Sequence, residues 1–113
     1  MLRIDEYIDQ PTLADGTYVS DQLSGDYPNT SMAFQCLDAA GDVVLATAGT
    51  ALVEVSEDGV NWGSITNGSI DLSLSTYNRP VVLGAIFRFA RVTLTGVTAT
   101  GASQFRLLMS RFT

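Results

Sequence analysis

The chain has 113 residues, 46% of them hydrophobic and 16% charged, with a formal net charge of −6. A chain of this length makes one globular domain that buries roughly 65% of its unfolded surface, so it needs neither a metal nor a disulfide to fold. Histidine and lysine are absent and cysteine occurs once, at Cys36. That excludes a histidine general base, a Schiff-base lysine and an intrachain disulfide.

Residues 1–16 read as an N-terminal arm ahead of a domain at 17–113. Pro11 and Asp15-Gly16 punctuate the arm, and Leu2, Ile4, Tyr7, Ile8 and Leu13 follow no long regular period; one helical turn fits Ile4–Ile8. Asp5, Glu6 and Asp9 fall where the apolar segment of a signal peptide would lie. From Thr17 the chain becomes a series of short strands divided by turn chemistry. Thr17–Leu23, Ser31–Leu37 and Asp42–Thr47 are the first three, closed by Ser24-Gly25-Asp26, Ala40-Gly41-Asp42 and Ala48-Gly49. Cys36 lies within the apolar Met32–Leu37 run and reads as a core thiol, as suits a reducing cytoplasm.

Thr50–Ser56 sets Ala51, Val53 and Val55 against Leu52, Glu54 and Ser56 with period two. Glu57-Asp58-Gly59 turns the chain into Val60–Ile65, and Asn67-Gly68 reads as a second hairpin turn. Ile70, Leu72 and Leu74 then alternate with Asp71, Ser73 and Ser75, and Thr76–Pro80 is a loop. Val81–Ile86, Phe87–Thr95 and Gln104–Phe112 complete the set; in the last, Phe105, Leu107 and Met109 form one face and Arg111 breaks the pattern. About eight strands, spaced roughly 8 to 12 residues apart, predict an all-β antiparallel two-sheet sandwich, jelly-roll or immunoglobulin-like.

The residues offer little chemistry. There is no Ser-His or Ser-Lys pair, no Cys/His cluster for zinc, no phosphate loop and no dinucleotide fingerprint. Glu57 and Asp58 are adjacent on an exposed turn, where neither gains the raised pKa of a catalytic acid. They also lack the ligand spacing of a calcium loop. No enzyme activity, cofactor or metal is expected. The apolar runs are too short for a membrane span, and the acidic balance without basic clusters argues against nucleic acid. Trp62 reads either as a cap on the core or, with Tyr77 and Asn78, as a glycan platform. Arg88 and Arg91 are oddly spaced, so they cannot share one face of a regular strand; Asp71 and Glu54 are candidate partners. Eleven of the twelve carboxylates lie between Asp5 and Asp58, and five of the six arginines between Arg79 and Arg111. Solvated surface accounts for most of that asymmetry, but it also suits head-to-tail contact between copies, or an acidic face meeting a basic partner.

Ser56-Glu57-Asp58-Gly59-Val60-Asn61-Trp62, followed by Arg88-Phe89-Ala90-Arg91-Val92-Thr93-Leu94-Thr95-Gly96, resembles small β-sandwich proteins of tailed bacteriophage virions, capsid decoration (cement) proteins among them. A similar turn and strand occur in discoidin-like carbohydrate-binding domains, which are longer and carry paired cysteines. The resemblance implies a structural virion protein on the capsid surface, assembled in the host cytoplasm and often trimeric. It would bind between major capsid protein subunits and stabilise the head. On that reading the arm makes the contact, through Leu2, Arg3, Ile4, Asp5, Tyr7 and Ile8, with Arg106 and Arg111 beside it. The alternatives are a glycan-binding module using Trp62, Tyr77 and Asn78, or a ring-forming component of a phage tail, neck or fibre.

Overall fold

The computed structural model describes every residue except Met1, Pro11 and Ser75, and Gln10 in its backbone only. The expected roles of Pro11 and Ser75 therefore lie outside the described residues. The described residues form nine strands and no helix. These are β1 (Arg3–Gln10), β2 (Gly16–Val19), β3 (Asn29–Leu37), β4 (Val43–Val44), β5 (Ala48–Ser56), β6 (Gly63–Asp71), β7 (Val81–Val82), β8 (Phe89–Thr98) and β9 (Gln104–Phe112).

All pairings are antiparallel, and they build the two-sheet sandwich that strand spacing predicts. The first sheet runs β1-β9-β3, with the short β4 and β7 both on the far side of β3; the second runs β2-β8-β5-β6. The chain passes repeatedly from one sheet to the other, which is the jelly-roll arrangement and not the immunoglobulin-like one. One end of the sandwich holds Asn29, Arg3 and Phe112, and the other holds Leu37, Gln104 and Gln10.

Period-two patterning explains the core. Phe105, Leu107 and Met109 of β9 and Met32, Phe34 and Cys36 of β3 face Ala51, Val53, Ile70, Ala90, Val92 and Leu94 of the second sheet. Phe105 sits at the centre, edge-on to Tyr18 at 4.9 Å between ring centroids and stacked on Phe34 at 5.7 Å. Each fully buried side chain of this size contributes about 1.5–3 kcal/mol. Cys36 is in this core, as its apolar surroundings predict.

Three local expectations are corrected. Residues 3–10 are neither a detached arm nor a helical turn: they form β1, paired with β9 along its whole length. The run was obscured because Glu6 occupies an inward position between Ile4 and Ile8. Arg111 does not break the β9 pattern either, since it lies on the core face and is fully buried. Asn67-Gly68 does not close a hairpin. Val60–Ile65 and Ile70–Leu74 are not two strands: Gly63–Asp71 is one continuous strand. Within it the register jumps, so that Ile65 to Gly68 oppose the single Val53. Asn67 takes the left-handed conformation, φ 59°, which can serve a bulge as well as a hairpin turn.

Gly68 fits this bulge because it has no side chain. A Cβ there would lie 2.6 Å from the carbonyl oxygen of Val53. Gly68→Ala is expected to destabilise the protein by about 1–3 kcal/mol, read as a lower urea midpoint. An unchanged midpoint would contradict the close approach.

Candidate assembly surfaces

Alternation along β1, β9 and β3 sorts the expected contact residues onto two faces. Ile8 is buried in the core, and Ile4 and Glu6 also turn inward. Arg3, Asp5, Tyr7 and Asp9 turn outward and lie across from Phe112, Ser110, Leu108 and Arg106. The guanidinium of Arg3 donates to the Asp5 carboxylate at 3.2 Å and to the Ser110 hydroxyl at 3.3 Å. Arg106 lies 3.6 Å from Asp9 and over the ring of Tyr7. Leu2 is exposed at the strand's start and exchanges hydrogen bonds with Thr113. The structure thus brings Arg3, Asp5, Tyr7 and Arg106 together on one outer face and withdraws Ile8 and Arg111 from any surface.

Arg111 is spent inside the protein. It donates to the carbonyl oxygens of Ser24, Gly25 and Phe87 and lies against the rings of Tyr27 and Phe87. The Glu6 carboxylate, one strand over, is 3.7 Å away and accepts from the Ser24 N–H at 2.9 Å. Burial lowers the pKa of Arg111, and the charge of Glu6 opposes that shift. The pair therefore holds the loop between β2 and β3 by both the donor and the acceptor of Ser24.

A cavity of about 330 Å³ opens on the outer face of the first sheet, near the Asn29 end, lined by Arg3, Ser31, Arg79, Leu108, Ser110 and Phe112. The loop that carries Arg79 is fastened on both sides. The Ala46 N–H donates to the Tyr77 hydroxyl, the Asn78 amide donates to Asn67 O at 2.7 Å, and the Met32 N–H donates to Pro80 O at 2.9 Å. Tyr77 and Pro80 are drawn inward, which leaves exposed Arg79 over the sheet. Sequence reasoning missed Arg79. Its only signal was an arginine before a proline in a loop between two strands.

The proposed glycan residues do not converge. Tyr77 and Asn78 line a cavity beside Phe34 and Leu45, and Trp62 is not part of it. Burial raises the pKa of the Tyr77 hydroxyl. Nor does Trp62 cap the core: its ring lies 4.5 Å from the guanidinium of Arg91, which also pairs with Glu54 at 3.0 Å. That makes Glu54 the partner of Arg91, whereas Asp71 accepts from Ser73 and Arg88 pairs with Asp26.

The acidic turn after β5 is closed on itself. One oxygen of Asp58 accepts from the N–H groups of Val60 and Asn61, both at 2.8 Å, and from the Ser56 hydroxyl; the other accepts from the Asn61 amide at 2.7 Å. These bonds, the Asn61 and Val60 backbone donors foremost, hold the Asp58 carboxyl well below the usual carboxylate range. The Ser56–Trp62 resemblance thus records a self-satisfied local turn that any β-sandwich can carry.

No protein-family model and no curated protein matches this chain. Among solved structures, the fold matches that of Bacillus endospore appendages, described as forming a novel family of disulfide-linked pili. The match has a TM-score of 0.52 and 12% identity, over 98% of this chain and 87% of that one. At that identity the likeness is one of fold. It overturns the expectation drawn from the turn and β8: a pilus subunit, not a phage decoration protein, shares the architecture across the chain's length. The capsid-surface location, the cytoplasmic virion assembly, the major capsid protein partner and the decoration trimer fall with that expectation.

Arg111→Met is expected to cost about 3–5 kcal/mol, because it leaves the Glu6 carboxylate and the loop carbonyls without their partner. Glu6→Leu combined with Arg111→Met recovers part of that loss; a neutral Arg111→Met in urea unfolding would contradict the clamp. Asp58→Ala lowers the thermal midpoint at pH 7. A depressed native pKa stabilises above the unfolded value near 4 and ceases to as pH falls through the native one, so the deficit of the variant shrinks below about pH 4. A deficit independent of pH would contradict the hydrogen-bonded carboxylate.

Proposed function

We propose that this chain is a non-enzymatic structural subunit that polymerises with copies of itself into an extracellular fibre. The observation that carries the reading is the match of nearly the whole chain to a subunit of a pilus. The surfaces support it. The outer edge of β1 pairs with no strand among the described residues, and neither does the outer edge of β6. Unpaired edges carry backbone donors and acceptors that can extend the sheet of a neighbour. Charges at Arg3, Asp5 and Asp9 along β1 are the device that keeps such an edge from pairing indiscriminately. The expected ring-forming component of a phage tail, neck or fibre comes nearest to a polymerising fibre subunit, which keeps the symmetric self-contact and drops both the ring and the phage setting.

The polymer differs from the matched pili in how it is held. The only cysteine of this sequence, Cys36, is fully buried on the core face of β3, and burial pushes its thiol up to about 11. A thiol that is both inaccessible and protonated does not form an intermolecular bridge. Association here is non-covalent, through strand edges and side-chain contacts.

Sedimentation velocity over a concentration series tests this. Large assemblies are expected above a threshold concentration, with the same threshold in the presence of a thiol reductant and in Cys36→Ser. A chain that stays monomeric throughout would defeat the fibre reading. Assemblies that dissolve on reduction would defeat the non-covalent one.

A further inference from the structure

We infer that the cavity between Arg3 and Arg79 receives Asp42 of a second copy of this chain, joining subunits end to end. This rests on the polymer-forming reading and names one contact within it. Five of the six arginines already have a carboxylate partner: Arg3 with Asp5, Arg88 with Asp26, Arg91 with Glu54, Arg106 with Asp9 and Arg111 with Glu6. Arg79 has none among the described residues, although its loop is fastened on both sides. It lines a cavity with a second guanidinium, two serine hydroxyls and a floor of Leu108 and Phe112. Two guanidiniums and two hydroxyls over an apolar floor suit a carboxylate presented beside apolar side chains.

The opposite end of the sandwich supplies that group. Asp15, Asp38, Asp42 and Asp71 all lie there, and the arginine nearest them, Arg106, is taken by Asp9. Three of the four carboxylates are occupied within the subunit: Asp15 by the N–H groups of Gly96 and Val97, Asp38 by those of Ala40 and Asp42, and Asp71 by Ser73. The Asp42 carboxylate accepts no hydrogen bond among the described residues and is exposed. Exposed Val43 and Leu45 follow it, each 57% accessible. The turn is already rigid, because Asp38 accepts from both Ala40 and Asp42 at 2.9 Å, so little order is lost on docking.

Position selects Asp42 over the other unengaged carboxylates. β3 runs from the cavity end to the Asp42 turn, a span of about 30 Å for nine residues. A contact between opposite ends of one molecule is heterologous, so each added copy presents a fresh end and the contact propagates, as a filament wherever its rotation does not close a ring. Glu57 lies beside Ile86 and Arg88 at the cavity's own end, so a contact through it would leave the far end of the molecule unused. Asp21 lies on the flank beside Tyr7 and Asp9.

The test is sedimentation velocity of the full chain carrying Arg79→Glu, Asp42→Arg, Glu57→Arg or Asp21→Arg. Arg79→Glu and Asp42→Arg are each expected to raise the concentration at which assembly begins about tenfold or more, with Glu57→Arg and Asp21→Arg near wild type. An equimolar mixture of Arg79→Glu and Asp42→Arg is expected to associate where neither does alone, because one retains Asp42 and the other retains the cavity. That recovery also demonstrates that both variants are folded. Wild-type thresholds for Arg79→Glu and Asp42→Arg, no recovery on mixing, or the loss appearing in Glu57→Arg or Asp21→Arg would each overturn the contact and leave the polymer reading standing. A wild-type chain that never assembles would remove the polymer reading, and this contact with it.

Discussion

The buried pair of Glu6 and Arg111 sets the geometry on which the surfaces of this sandwich depend. Each residue occupies an inward position on its own strand, and each would be prohibitive there alone. Together they draw the segment around Ser24 and the carbonyl of Phe87 onto the end of the core. Period two does the rest. Once Arg111 faces inward, Ser110 and Phe112 must face outward, and once Glu6 faces inward, Asp5 and Arg3 line up across from them. The lining of the outer cavity follows from a buried ion pair on the other side of the same strands.

Charge is distributed as though almost every group had a fixed task inside the subunit. Five arginines are matched to carboxylates, and three of the four carboxylates at the Leu37 end are bound by N–H or hydroxyl groups. Among the groups that remain, Arg79 lies at one end and Asp42 at the other, with Asp21 on the flank and Glu57 at the end of Arg79. Ion pairing at an exposed surface contributes little to folding, so leaving Arg79 and Asp42 unpaired costs the monomer almost nothing. For a subunit that meets its own copies, the same two groups set register and direction.

Much of the fold was legible in residue periodicity. Gln104–Phe112 was bounded correctly because Phe105, Leu107 and Met109 alternate cleanly, and the cores of β3, β5 and β8 followed from the same signal. The pattern failed where an inward position holds a charge. Glu6 disguised β1 as an arm, and Arg111 looked like the end of a face that in fact continues through it. These two interruptions explain each other, but only once the strands are known to be neighbours. Asn67-Gly68 misled for a different reason: a left-handed residue such as Asn67 serves a two-residue hairpin and some bulges alike. The candidate site was half legible. Arg3, Asp5 and Tyr7 were singled out and do share an outer face, whereas Arg79 comes to that face through a loop pinned by long-range hydrogen bonds.

The family signal suffered most from locality. A turn closed by Asp58 and a β8 strand bearing Arg91 satisfy short-range rules that many sandwiches share, and so they pointed to phage virions; the architecture of the chain as a whole matches a pilus subunit. Electron cryo-microscopy of the concentrated protein in reducing buffer tests the resulting account most directly. The account predicts open fibres built from one repeating, non-covalently joined subunit; closed rings or dispersed monomers would contradict it.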